Sequence, residues 1–233
     1  GEVERALVLY EKTREAAEAL DDARLLAKAH IGLGIAHTKR GALEQARAHL
    51  EEVVALLPRT GEPGQVGFAL LVLGEGQEVA GERDAAEAAY RRAIEHIALA
   101  GSGWLGMAQY KLGAVLGAGG RWEEALPLLR EALLRFEHQA TLPLIACVEL
   151  VLAAAEGQAQ RWEAWDRHAE RAFDALERCG YVDSEVALAA ELVARHTAEA
   201  GRRRRVLELA LAQWGELGRE QERARVADWV ARS

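Results

Sequence analysis

The sequence predicts an all-α protein, a right-handed superhelical solenoid built from antiparallel helical hairpins. Half of its residues are apolar and only 6% are aromatic, and most are alanine, leucine, glutamate or arginine, which favour helix. The stretch GRWEEALPLLREALLRF, residues 120–136, returns in altered form every 39 to 41 residues. Apolar residues within it recur at spacings of three and four, as on one face of a helix. A fixed period of this length indicates stacked hairpins.

Three pairs of glycines set the phase of the repeat. They are Gly34 with Gly41, Gly74 with Gly81, and Gly113 with Gly120. A small residue follows each second glycine by five positions, and a large one comes four positions later; these are Ala46, Ala86 and Ala125, then Leu50, Tyr90 and Leu129. The first glycine of each pair lies inside a helical pattern, where it costs about 1 kcal/mol relative to alanine. We therefore expect two helices to approach closely there, and the second glycine to form the turn.

The same phase predicts the elements in order. We expect one solenoid over residues 1–233: a half repeat at 1–20, hairpins at 23–57, 63–99, 102–138, 141–179 and 182–217, and a capping helix at 219–231. Asp21 or Asp22 is expected to cap the first complete hairpin, because a short acidic side chain can accept hydrogen bonds from first-turn amides. The fourth repeat carries Trp165 where alanine is expected, so its packing should differ locally. Because the chain begins in the middle of a repeat, we expect it to be part of a larger protein.

These positions resemble the tetratricopeptide repeat, whose consensus has a small residue in the first helix, a turn glycine, and small and large residues along the second helix. Pro58 matches the closing proline of that family. The resemblance covers nearly the whole chain, with one departure, since the family period is 34 residues and here it is about 40. Longer repeats of this kind resemble the helical arms of bacterial signalling and transcription regulators and of some cytoskeletal adaptors.

The resemblance implies a concave, partner-binding face on the first helix of each pair. Its residues would be Lys28, Ile31, Ile35, Phe68, Leu71, Glu75, Glu78, Met107, Tyr110, Ala114, Cys147 and Leu150. A mainly apolar face of this kind suits an amphipathic helix or an extended peptide. The alternative is that these residues pack against neighbouring first helices. The lysine and asparagine that clamp a C-terminal carboxylate in chaperone-binding members of the family are absent from the matching positions, such as Ile31 and Leu71.

No catalytic or cofactor-binding motif is present in the sequence. It lacks a phosphate-binding GxxxxGK[ST] loop, a GxSxG nucleophile elbow and an HExxH metal pair. Cys147 and Cys179 have no metal-ligand spacing, and His30 and His37 are seven residues apart rather than the four that would let them chelate one ion. We expect no enzyme activity, no cofactor and no metal.

The net charge and the hydropathy of the sequence limit which classes of function remain possible. A net charge of −8 argues against general binding to nucleic acid, and the run Arg202–Arg205 is expected to be a solvated or capping face. No apolar run approaches the roughly 20 residues that cross a bilayer, so we expect a cytoplasmic protein. The leading hypothesis is a non-catalytic scaffold that binds a protein or peptide, or another domain of the same polypeptide. The alternative is a ligand-sensing or self-association arm of a transcription regulator or signalling ATPase.

Overall fold

A computed structural model of the chain describes residues 1–232, and Ser233, the last residue of the predicted solenoid, lies outside them. Every regular element in residues 1–232 is a helix: α1 Glu2–Ala19, α2 Ala23–Arg40, α3 Leu43–Ala55, α4 Leu57–Thr60, α5 Pro63–Val79, α6 Arg83–Ala100, α7 Leu105–Ala118, α8 Trp122–His138, α9 Leu142–Gln158, α10 Trp162–Cys179, α11 Ser184–Arg195, α12 Ala200–Glu216 and α13 Glu220–Ala231. No helix in this range is both long and apolar enough to span a membrane.

Consecutive helices pack side by side as hairpins, so the all-α, hairpin-repeat fold class is confirmed. The chain forms two compact units, Gly1–Val115 and the part from Leu116 onward. In the first unit α2 packs against α1, α3 and α5, and α5 packs against α6; in the second unit α9 packs against α8, α10 and α11, and α12 packs against α11 and α13. The first helices α2, α5, α9 and α11 therefore each contact their own partner and also a helix of the adjacent hairpin.

The turns repeat with the same period as the sequence. Residues with a left-handed backbone occur inside the hairpins at Gly41, Gly81, Gly120 and Gln160, and between hairpins at Asp21, Gly61, Gly101, Ala140 and Gly180. The φ angles of the three non-glycine residues are 51° at Asp21, 53° at Ala140 and 55° at Gln160. A non-glycine residue in this conformation costs about 1–2 kcal/mol. The backbone period is therefore kept even where the glycine has been lost.

Two of the three glycines predicted to mark close approaches, Gly34 and Gly74, do so in the first unit. A Cβ atom on Gly34 would lie 2.6 Å from Cδ2 of Leu50, and one on Gly74 would overlap the ring of Tyr90. Leu50 and Tyr90 are the large residues of the repeat, and both are essentially buried. A large side chain of the second helix thus lies directly on the backbone of the first, which confirms the expected contact.

The starts of two helices are explained by residues at or just before the first turn. Asp22 accepts hydrogen bonds from the amides of Arg24 and Leu25, both at 3.0 Å, and confirms the expected cap of α2. Pro63 opens α5 at its first turn, where a missing amide donor has no cost.

The fourth repeat packs differently from the others, as its sequence predicts. Trp165 is fully buried, and its indole Nε1 donates a hydrogen bond to Oγ1 of Thr197 at 3.0 Å. Gly157 in α9 lies against the carbonyl of His196, where a Cβ atom would be only 2.6 Å from that oxygen. In this repeat a Cβ atom on Gly157 of α9 would also lie 3.2 Å from the indole ring of Trp165 of α10, so the close approach falls at different positions from those of the earlier repeats.

Candidate interaction surfaces

The residues predicted to form a concave binding face divide sharply by exposure. Leu71, Tyr110, Cys147 and Leu150 each expose at most 3% of their surface. The other eight retain accessible surface, and all of them lie in α2, α5 and α7 of the first unit: Lys28, Ile31, Ile35, Phe68, Glu75, Glu78, Met107 and Ala114. We refer to these eight residues as the first-helix stripe.

An exposed tryptophan adjoins the first-helix stripe. The rings of Phe68 and Trp104 lie 4.8 Å apart, centroid to centroid, at an interplanar angle of 48°. Trp104 is 47% exposed and belongs to the connection between α6 and α7. The repeat pattern does not identify Trp104, because this residue lies outside the repeat positions that carry the family resemblance. The aromatic pair gives the stripe a large apolar contact area that water can reach.

The two carboxylates of the stripe contact other parts of the first unit. Oε1 of Glu75 lies 3.4 Å from Nζ of Lys111, whose side chain is only 6% exposed. The hydroxyl of Tyr90 donates to Oε2 of Glu78 at 2.5 Å. Phe68 and Glu75 therefore both contact residues of the next repeat, as the packing alternative expects, while part of each side chain remains accessible.

Three histidines meet between α2 and α3. Nδ1 of His30 lies 3.1 Å from Nδ1 of His49, and the ring of His37 stacks on that of His49 at 5.4 Å. Burial lowers the pKa of all three imidazoles below the ordinary value. The sequence showed only the spacing of His30 and His37 on one helix, and it did not bring His49 to them. No group of three or more potential ligands suited to a metal ion occurs within residues 1–232.

A fully buried carboxylate occupies the equivalent place in the second unit. Oε2 of Glu149 in α9 lies 2.5 Å from Nδ1 of His168, and Oε1 lies 3.0 Å from Nε of Arg171, both from α10. His30 with His49 and Glu149 with His168 are each 19 residues apart and occupy the same repeat positions. One polar contact therefore joins the two helices of a hairpin in both units.

A second fully buried carboxylate joins the last three helices. Glu191 in α11 accepts hydrogen bonds from Nε1 of Trp214 at 2.9 Å and from both terminal nitrogens of Arg225 at 2.8 Å each. Arg195 approaches the same carboxylate at 3.5 Å. From the sequence alone, a glutamate within a helix is most simply assigned to solvent, and nothing local marks Glu191 as buried.

The arginine run is partly used to attach α12 to α10. Arg202 donates to both oxygens of Asp166, at 2.8 and 2.7 Å, and its guanidinium lies 5.4 Å from the ring centre of Trp162. The hydrogen bond from Arg202 lowers the pKa of Asp166. Arg205 lies over Phe173 at 4.4 Å. Arg202 is thus half-buried against α10, whereas Arg204 and Arg205 remain exposed, as expected for a solvated or capping face.

Known proteins share this fold without close sequence similarity. The structure resembles BtubC (BKLC) from P. vanneervenii, with a TM-score of 0.66 and 17% identity over 100% of this chain and 91% of that one. It also resembles aspartyl phosphate phosphatase F from Bacillus subtilis, with a TM-score of 0.69 and 9% identity over 99% of this chain and 67% of that one. A Rap protein complexed with competence and sporulation factor matches with a TM-score of 0.57 and 12% identity, over 99% and 70% of the two chains.

These likenesses define the chain as a helical-repeat protein. At 9 to 17% identity they establish the fold alone. No protein-family model matches the sequence. No curated protein matches it either.

Proposed function

We propose that this chain is a non-catalytic protein-interaction module that binds a peptide or a helix of a partner protein on its first-helix stripe. The observation that carries the proposal is the set of accessible apolar side chains on the successive first helices α2, α5 and α7, bordered by the Phe68–Trp104 pair. Binding energy at such surfaces concentrates in a few large side chains, among which aromatic residues are enriched. Phe68 and Trp104 are therefore the proposed anchors.

The solved structures that share the fold support this proposal. One of them is a Rap protein complexed with competence and sporulation factor, so a chain of this fold is known in a complex. We further propose that the repeats are long tetratricopeptide repeats from a bacterial signalling or regulatory protein of the cytoplasm. The partner would be a separate protein or another domain of the same polypeptide.

The proposal is tested with peptides selected from a random phage-displayed library on the purified chain. Variants Phe68→Ala and Trp104→Ala should each weaken binding of the selected peptides by about tenfold or more, as expected for residues at the centre of an interface. Leu99→Ala is the matched control, since Leu99 is 79% exposed and lies on α6, the second helix of its hairpin, rather than on a first helix. Circular dichroism should show unchanged helical content in all three variants. Equal binding by the wild-type chain and both aromatic variants would place the peptide elsewhere and refute the proposal.

A second candidate function is a self-associating or ligand-sensing arm of a regulator. It is supported by the outer face of α1, where Val8 and Leu9 are 58% and 62% exposed. Light scattering over a wide concentration range tests self-association, with a dimer that disappears in Val8→Ser/Leu9→Ser expected on this view. A strictly monomeric chain would exclude the self-association version of this function. The ligand-sensing version is tested by screening metabolites for one that raises the melting temperature of the chain.

Absence of catalysis is part of the leading proposal and needs its own test. One protein of the same fold is named an aspartyl phosphate phosphatase. Acetyl phosphate is a small acyl phosphate of the same chemical class, so its hydrolysis can be followed directly. We expect the rate with the chain present to equal the rate in buffer, and a protein-dependent rate would contradict this part of the proposal.

A further inference from the structure

The last helix, α13, is attached through a small set of apolar residues and one charged contact. Val226 is its one buried residue among those described, and Trp229 and Val230 are partly buried. The charged contact is the bidentate pair between Arg225 and the fully buried Glu191. Arg225 therefore links this 12-residue helix to the buried Glu191 of α11.

The Glu191 carboxylate is built to bind a guanidinium. Trp214 supplies one fixed donor from α12, and the two oxygens face the two terminal nitrogens of Arg225 with equal distances of 2.8 Å. This fork geometry is specific to arginine, because lysine offers only a single point of charge. A carboxylate with no exposed surface also needs a cation, since burying it unpaired is strongly unfavourable.

We propose that the surface of α11 and α12 around Glu191 is a docking site for an arginine-bearing helix of a partner protein, and that α13 is its built-in occupant. The partner helix would carry the pattern of α13, with an arginine at the position of Arg225, a branched apolar residue directly after it, and a large aromatic residue at the position of Trp229. Charge complementarity with Glu191 identifies this class of partner. The site lies in the second unit and is independent of the first-helix stripe.

Exchange of the two helices conserves the contacts of Glu191. When α13 leaves, Trp214 remains in place and an incoming arginine restores both charged hydrogen bonds, so the exchange leaves no buried charge unpaired. The turn before α13 is short and contains Gly218, whose φ of 66° ends α12. The apparent affinity of the partner is then set by the fraction of molecules in which α13 is detached.

The test uses a fluorescent peptide with the sequence of residues 219–232 and the full chain. Arg225→Ala weakens the built-in occupant, so this variant should bind the peptide about tenfold more tightly than the wild-type chain does, because more of its sites are free. Arg223→Ala is the control, since Arg223 lies on the same helix and forms an ion pair with the exposed Glu220. It should bind the peptide as the wild type does. A peptide carrying Arg225→Gln should bind the Arg225→Ala chain about tenfold less well than the natural sequence does.

Hydrogen exchange on the wild-type chain gives a measurement that needs no variant. Amides of α13 should exchange much faster than those of α12, because detachment of α13 is a local event. Equal protection of the two helices, or equal peptide affinity of the wild type and Arg225→Ala, would show that α13 is a permanent cap and overturn the proposal. Light scattering of Arg225→Ala without peptide should show a monomer, whereas a dimer would assign the site to a second copy of the chain and overturn the assignment to a partner protein.

Discussion

Nδ1 of His30 lies 3.1 Å from Nδ1 of His49, so one of these rings donates a hydrogen bond and the other accepts it. Protonation of the accepting ring turns both nitrogens into donors and places a charge in a largely buried contact. Charged groups near the cluster come from every side: Glu4, Glu11, Arg14 and Glu18 from α1, Arg40 from α2 and Glu52 from α3. The contact between α2 and α3 is therefore sensitive to protonation.

The first prediction is that the free energy of unfolding decreases as the pH is lowered below 6.5, the ordinary pKa of histidine. Burial lowers the folded-state pKa values of His30, His37 and His49, so the unfolded chain takes up protons first as the pH falls, and the stabilisation present above pH 6.5 is lost. Urea unfolding between pH 7.5 and 5.5 measures this loss. The variant His49→Gln should lose less over the same range, while His138→Gln, at an exposed position, should follow the wild type. Parallel curves for His49→Gln and the wild type would contradict the prediction.

The second prediction separates two helical glycines of α5. Gly74→Ala should destabilise the chain by about 1–3 kcal/mol, because the new methyl group overlaps the buried Tyr90 ring. Gly76→Ala is the matched control, since its Cβ would meet Oγ1 of Thr38 at an ordinary 3.7 Å. That variant should be neutral or more stable by up to about 1 kcal/mol, from helix propensity. Chemical denaturation compares the two, and a Gly74→Ala chain as stable as Gly76→Ala would refute the close-approach explanation.

The third prediction concerns the buried Glu149. Arg171→Ala should cost about 2–4 kcal/mol, because it removes a cation from a carboxylate that has no exposed surface. Arg178→Ala on the same helix breaks only an exposed pair with Asp174 and should cost less than about 1 kcal/mol. Melting curves measure both. Similar small losses in the two variants would show that His168 alone is enough to hold Glu149.

The fourth prediction tests the hydrogen bond in the fourth repeat. Trp165→Phe should cost about 1–3 kcal/mol, because it deletes the indole donor to Thr197 and leaves a small void in a fully buried site. Trp122→Phe is the comparison, because the buried Nε1 of Trp122 has no hydrogen-bond partner within the described residues. Its replacement should therefore cost less, as measured by urea unfolding. The reverse order would indicate that packing, rather than the hydrogen bond, holds Trp165.

The fifth prediction addresses the left-handed turns that lack glycine. Ala140→Gly and Gln160→Gly should each stabilise the chain by up to about 1 kcal/mol, because glycine removes the strain at φ of 53° and 55° but also loosens the unfolded chain. The reverse change at a glycine turn, Gly101→Ala, should destabilise it by a similar amount. Differential scanning calorimetry compares all three variants. A loss of stability in Ala140→Gly would mean that the left-handed turn carries no strain.

The sequence was informative where one residue type has a single physical explanation. A glycine repeated inside helices is costly, and only a close contact offsets that cost, so the contacts at Gly34 and Gly74 could be predicted. Buried polar residues such as Glu149 and Glu191 could not, because their partners come from other helices and leave no local pattern. The predicted binding face had the same limit: repeat phase identifies a face of a helix but does not identify what covers it.

The recurring left-handed turns make each hairpin a unit that can be added to or removed from the array. Because each inter-hairpin turn contains one left-handed residue, from Asp21 through Gly61 and Gly101 to Ala140 and Gly180, rejoining the chain at these points would keep that feature of the turn. A gene duplication or deletion that spans one such interval adds or removes a whole pair of helices. The length of the array can therefore change in evolution, or by design, in steps of about 40 residues, while the side chains on each helix vary independently to suit new partners.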